Sequence, residues 1–298
     1  MLKELFKKQG SPTTEEDRVA VDYLMQNLPE ETHLLAQIVG HLRENYTRGD
    51  DFIRLLSRKV SVEDAVTAAQ AAQDEGYHFV ANTIFEELVK QKKNPYAYLG
   101  LAHSYANGLG RSVSPDKATA LYQEAIRMFE KEASEGEARA LFEIGVCYRR
   151  GEGVEQSDTK AVEYYKSALA WGCLDAANNL GLMYAQGLGV EKDVVEAVRY
   201  YRMAAEAGQA DSQTLLANCY FQGVGVRQDY GEAFAWFKKA ADQGEPDALF
   251  HVALCYQEGH GVEPDSDKVI EYLSKSAEAG HQYALQLLQE NGMLDEYT

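Results

Sequence analysis

Between Cys173 and Gly208 the apolar positions fall into two runs with helical spacing. Ala176, Ala177, Leu180, Met183 and Tyr184 recur at intervals of three and four, as one face of an α-helix requires. Ala197, Tyr200, Tyr201, Ala204 and Ala205 form a second such run. Gly187-Leu188-Gly189-Val190 separates them, and a glycine at a helix end accepts the left-handed conformation that other residues resist. Asp193 stands where its carboxylate can cap the second helix, and Gly208 stops it. The stretch predicts two short antiparallel helices, neither of which can hide its apolar stripe alone.

The same pattern recurs along the chain. Gly136, Gly172, Gly208, Gly244 and Gly280 are each 36 residues apart. Gly151, Gly187, Gly223 and Gly259 keep that interval, and so do Gly153, Gly189, Gly225 and Gly261. Tyr148, Tyr184, Tyr220 and Tyr256 form a tyrosine ladder in step with them. A fixed period of this size marks a repeat architecture whose units bury their apolar faces by stacking on one another. The expected fold is all-α, an α/α solenoid of stacked antiparallel helix pairs in 36-residue repeats. The ladder tyrosines are expected to be buried in the framework, so that Tyr184→Ala or Tyr220→Ala would cost roughly 3–5 kcal/mol.

The flanking segments read as variants of this unit. Residues 1–60 have amphipathic runs, from Thr14-Glu15-Glu16-Asp17 and from Pro29-Glu30-Glu31 onward, and read as a helical N-terminal cap or small domain. Ser61-Val62-Glu63-Asp64 is a capped helix start, and 61–95 reads as a degenerate repeat pair. Five full units follow, at 96–136, 137–172, 173–208, 209–244 and 245–280. The first is stretched: Tyr105 to Tyr148 spans 43 residues, Pro115 suits the first helical position, and the extension Ile126 to Ala133 is expected to protrude. Residues 281–298 supply a capping helix, with Ala284, Leu285, Leu287 and Leu288, and an acidic tail.

The pattern Ala…Leu-Gly…Tyr…Gly-x-Gly-Val…Asp…Ala…Tyr-Tyr…Ala-Ala…Gly, which Cys173 to Gly208 follows almost residue for residue, resembles the Sel-one-like repeat family, a relative of the tetratricopeptide repeat. The resemblance implies a right-handed superhelix whose first helices line the inner, concave curve. It also implies an adaptor that binds proteins, and it brings no catalytic residues.

Within the first helix of each unit, a step of about 100° per residue separates the constant framework positions from the variable ones. The variable face carries Phe142, Glu143, Val146, Arg149 and Arg150, then Asn178, Asn179, Leu182, Ala185 and Gln186. It continues with Thr214, Leu215, Asn218, Phe221 and Gln222, then Phe250, His251, Leu254, Gln257 and Glu258. Mixed apolar and hydrogen-bonding groups suit a peptide or a partner protein. The candidate partner-binding residues are therefore Phe142, Val146, Arg149, Arg150, Asn178, Asn179, Leu182, Gln186, Asn218, Phe221, Gln222, Phe250, His251, Leu254 and Gln257. The competing reading is that Phe142, Leu182 and Phe250 simply pack against the adjoining unit.

Charge narrows the partner. With a formal net charge of −18, the chain is a poor match for nucleic acid or an anionic membrane surface; the acidity either serves solubility alone or meets a basic partner. No run approaches the ~18 apolar residues of a membrane span, and Met1 to Gly10 lacks a secretory signal's apolar core, so a cytoplasmic location is expected. Cys147, Cys219 and Cys255 share one repeat position with Met183, which reads as apolar packing, while Cys173 is expected at the surface. The Gly-x-Gly turns end helices instead of following strands, which does not suit phosphate binding. No metal-spaced Cys/His cluster or catalytic motif occurs, so neither cofactor nor metal is expected. Two functions remain: an adaptor without chemistry, or an inhibitory, immunity-type binder that blocks a toxin or enzyme.

Overall fold

A computed structural model describes residues 61–290 apart from 75, 77, 92 and 93; the expectations for 1–60 and for the acidic tail lie outside the described residues. Among the described residues there are thirteen helices and no strand. They are α1 (Val62–Asp74), α2 (His78–Lys90), α3 (Pro95–Asn107), α4 (Pro115–Ser134), α5 (Ala138–Arg150), α6 (Asp158–Ala170) and α7 (Asp175–Gln186). They continue with α8 (Val194–Glu206), α9 (Ala210–Gln222), α10 (Tyr230–Ala241), α11 (Pro246–Glu258), α12 (Ser266–Glu278) and α13 (Gln282–Glu290). The chain forms two compact units, Met1–Glu132 with Arg150–Gln156, and Ala133–Arg149 with Ser157–Thr298.

Helix starts are set by side chains that satisfy the first orphan N–H groups. Ser157, Asp193, Asp229 and Asp265 each accept from N–H groups of the second helix they open. Ser61 Oγ accepts from the Asp64 N–H at 3.0 Å, and α4 begins on Pro115. The backbone N–H of each cap residue donates to the carbonyl of its ladder tyrosine, as from Asp193 to Tyr184 at 2.9 Å. This bond closes the connector between the helices of a pair.

Two glycines per connector have different duties. Gly187 ends α7 in the left-handed region, with φ 76°, and its N–H donates to the Met183 carbonyl at 2.8 Å. Gly189 is also left-handed, but its contact matters more: a Cβ there would lie 2.3 Å from the carbonyl carbon of Asp158. The connector is therefore seated on the first turn of the preceding repeat's second helix. Gly225 on Val194 and Gly261 on Tyr230 repeat that seat, with equivalent distances of 2.4 and 2.1 Å to backbone oxygen.

In the first three pairs of the second unit a buried ring comes from the second helix, and Leu273 takes that position in the fourth. Tyr165 and Tyr201 lie against Gly145 and Gly181, where a Cβ would approach ring atoms to 2.7 and 2.5 Å. In the next repeat Phe237 is fully buried and Ala217 holds the glycine position. The ladder tyrosines are consequently not the core pins that the sequence suggests. Tyr148, Tyr184, Tyr220 and Tyr256 are half-buried, because the inner seat is already filled. Three of them stack on a second-helix tyrosine, as Tyr184 does on Tyr200 with centroids 5.5 Å apart. A cation from the preceding second helix covers two of them: Lys166 lies 5.4 Å above Tyr184 and Arg202 lies 5.5 Å above Tyr220.

In the first unit, α1, α2 and α3 share a core of Ala65, Ala69, Ala81, Ile84, Phe85, Leu88 and Leu101. The extension of α4 is anchored instead of free: Phe129 is fully buried, with its ring edge-on to Tyr96 at 5.2 Å. An aromatic on the extended stretch has apolar surface to hide, and Tyr96 supplies the contact.

The sulfur position is apolar packing. Cys147, Met183 and Cys255 are buried and Cys219 is half-buried; burial pushes the Cys255 thiol up to about 11. Cys173 is half-buried, not exposed, and burial raises its thiol as well. In the last repeat His251 stacks on Phe237, with centroids 4.6 Å apart and planes 16° apart. That burial lowers the imidazole pKa, outweighing the Asp247 carboxylate, which raises it.

These contacts order the stabilities of variants. Tyr201→Ala should cost about 3–5 kcal/mol, the range for a buried aromatic. Tyr184→Ala should cost only about 1–2 kcal/mol, since less apolar surface is at stake. Gly181→Ala should cost on the order of 1–3 kcal/mol by overpacking against the ring. Urea midpoints should fall in that order, with Tyr201→Ala well below Tyr184→Ala. The histidine gives a pH dependence. Because the unfolded chain takes up the proton first, stability is lost as pH falls through about 6.5, the ordinary histidine value, and levels off below the folded value. His251→Phe should lose less melting temperature than the unaltered chain between about pH 7.5 and pH 5.5.

Candidate partner-binding face

The first helices of the second unit, α5, α7, α9 and α11, present one stripe each at spacings of four, three and four residues, which share a helix face. The stripes begin with Arg139, Asp175, Asp211 and Asp247. They run on through Glu143, Asn179, Leu215 and His251, then Val146, Leu182, Asn218 and Leu254. Position by position, the structure sorts the candidate residues into two groups.

One group engages the neighbouring repeat or the core beneath it. Arg149 donates from Nη1 to Asn179 Oδ1 at 2.9 Å, joining α5 to α7. Asn178 Oδ1 accepts from Ser212 Oγ at 2.9 Å, joining α7 to α9. Phe142 packs on Tyr165 at 5.6 Å under the Arg139 guanidinium, which itself pairs with Asp175 in the next repeat. Phe250 is buried and stacks on His281 at 4.6 Å, and His251 lies on Phe237. Phe221 meets Tyr230 and His260 edge-on, at 5.1 and 5.3 Å, while those two rings stack on each other. The packing reading of Phe142 and Phe250 thus describes where these rings go.

The second group keeps part of each side chain exposed, although Val146, Leu182 and Leu254 also pack against the core. Val146, Leu182, Asn218 and Leu254 occupy one identical position on successive first helices, and all four are half-buried. Gln186, Gln222 and Gln257 are exposed beside them. Arg150 is exposed too, but it belongs to the first unit, where its guanidinium lies 3.7 Å from Glu152. Sequence reasoning passed over Asp211 and Asp247, which start two of the stripes and are exposed. Their signal was present: both stand in the same 36-residue register as Asp175.

Among the described residues no group of three or more His, Cys, Asp or Glu is arranged to hold a metal ion. None of the described helices is long and apolar enough to cross a membrane.

Known proteins supply the context for this geometry. The model of the Sel1 repeat matches residues 95–128, 138–170, 174–209, 210–245 and 246–281, more than half of the chain. No curated protein matches the sequence. Among solved structures, a Sel1 repeat protein from Oxalobacter formigenes is 26% identical, with a TM-score of 0.55 over 76% of this chain and 86% of that one. A protective antigen of uropathogenic Escherichia coli with the same type of fold is 25% identical, covering 89% of this chain and 65% of the antigen at a TM-score of 0.41. An immunity protein from Pseudomonas aeruginosa is 20% identical, with a TM-score of 0.51 over 73% of this chain and 81% of its own, a likeness of fold alone. Four helix pairs in one 36-residue register and a stretched fifth before them, each with its glycine connector, and the family model that matches all five, place this chain in the Sel1 repeat family.

Proposed function

We propose that this chain is a non-enzymatic, cytoplasmic scaffold that holds a partner protein or peptide on the outward face of α5, α7, α9 and α11. Sel1 repeats generally mediate contacts between proteins. One observation carries the reading for this chain. Val146, Leu182, Asn218 and Leu254 stand half-exposed at one position of four successive helices, and their chemistry changes while the framework beneath them stays constant. Arg149, Asn178, Phe250 and His251 vary too, but the neighbouring repeat or the core engages them, whereas these four positions keep part of each side chain exposed. A row of apolar and amide groups left open at regular intervals supports a role in gripping a macromolecule.

The reactive groups support the absence of chemistry. Burial raises the thiols of Cys173, Cys219 and Cys255, and a thiol needs its thiolate to act as a nucleophile. Burial against the Phe237 ring lowers the His251 imidazole pKa. The net charge of −18 favours a second reading, a binder that blocks a basic toxin or enzyme. The two separate on one assay: a blocked enzyme loses turnover in the complex, whereas a scaffolded partner keeps it.

The test is affinity capture followed by reconstitution with the purified partner. The variant is Leu182→Ser, Asn218→Ala and Leu254→Ser together, which leaves the internal contacts of Phe221 and His251 alone. It should bind the reconstituted partner at least about tenfold more weakly, as loss of a few interface anchors implies, with helical content unchanged by circular dichroism. Equal affinity of both proteins for that partner would sink the assignment of the face.

A further inference from the structure

In the first-helix layer of the second unit, Arg139 and Arg149 lie on α5, where Glu143, Asp175 and Asn179 engage them. Helices α7, α9, α11 and α13 contain neither Lys nor Arg. Every second helix between them carries two, as α6 does with Lys160 and Lys166. Those cations are occupied locally: Lys166 over the Tyr184 ring, Arg199 on Glu196, Lys268 and Lys275 on Glu271. Asp211, Asp247 and Glu258 are exposed on the first-helix layer, and among the described residues no Lys or Arg forms an ion pair with them, while His281 lies 3.4 Å from Asp247. Such a surface attracts cations and repels acidic partners.

The groups between these carboxylates say what form the cation takes. Gln186 and Gln222 expose their side-chain amides, and Asn218 is half-buried between them. An amide both donates and accepts, which matches the backbone of an extended chain, whereas a helix has already used its backbone groups internally. The first helices are direct neighbours, as the Ser212–Asn178 bond shows. A chain crossing at the level of Leu182, Asn218 and Leu254 passes Asp211 and Asp247 about two helical turns to one side and Glu258 about one turn to the other, within reach of long basic side chains. Resting on the scaffold reading above, we infer that this face takes an extended cationic segment whose Lys or Arg side chains meet Asp211, Asp247 and Glu258.

The test uses the full chain and fluorescein-labelled synthetic peptides, read by fluorescence anisotropy. One peptide is a run of Lys-Ser-Leu triplets, one replaces each Lys by Glu, and one is an alanine-rich helix former with the same number of lysines on one face. The Lys-Ser-Leu peptide should bind at least about tenfold more tightly than either of the others. The variant Asp211→Asn, Asp247→Asn, Glu258→Gln should bind it about tenfold more weakly, the loss expected for three exposed pairs together. Neutralising the second-helix layer instead, with Glu163→Gln and Glu232→Gln, should leave affinity unchanged. Equal binding of the Lys and Glu peptides, stronger binding of the helix former, or an equal loss in the second-layer variant would each overturn the inference. If the carboxylate variant keeps the natural partner while the Leu182, Asn218, Leu254 variant loses it, the charge inference fails and the scaffold reading stands. If neither variant loses the partner, both fail.

Discussion

Everything in the second unit depends on places where a side chain is missing. A second-helix ring lies against the first helix at Gly145 and Gly181, at a distance no Cβ could share. A connector lies against the preceding repeat at Gly189, Gly225 and Gly261, again closer than any Cβ permits. The first contact sets how tightly a pair closes, and the second sets how one pair sits on the next. Dispersion falls off steeply with separation, so these approaches hold apolar surfaces together that a single methyl group would prise apart. Where the repeat abandons glycine, as at Ala217, the opposing ring is Phe237 in place of tyrosine.

Once the framework is closed in this way, the outward surface is sorted by what the framework needs. Polar links between successive first helices take up Arg149 with Asn179 and Asn178 with Ser212. Stacked rings take up Phe250 and His251. The aromatic and amide groups that a binding surface would use are thus partly committed to stacking. What stays open is narrower and more regular: one half-buried position per helix, flanked by exposed amides and carboxylates. The second helices meanwhile hold their lysine and arginine over the tyrosine rings and on neighbouring acids. The acidity of the chain is therefore not spread evenly: Arg139 offsets Glu143 and Asp175 at one end of the first-helix layer, while α7, α9 and α11 carry no Lys or Arg of their own.

Much of this was legible in the sequence, and the reasons differ between elements. The helices, their caps at Ser61 and Asp193 and their glycine stops follow from local rules, since a cap or a left-handed residue acts within a few positions of the chain. The 36-residue register then assigns equivalent positions to every copy, which is how Cys147, Met183 and Cys255 could be read as packing. The same register misled at the tyrosines. Regular recurrence marks a constrained position, but it does not distinguish the centre of the core from its rim, and Tyr184 recurs because it stacks on Tyr200 beneath a cation.

By itself the sequence determined the element order, the repeat period, the helix ends and the membership of each residue in a framework or variable set, because all of these depend on neighbours along the chain. Only the tertiary structure decided that the buried ring comes from the second helix, that the extension of α4 is tied down through Phe129, and that the variable set divides into stacking and open residues. Those outcomes depend on which surfaces meet across helices, and distance through space between side chains far apart in the chain is what spacing along it leaves undetermined.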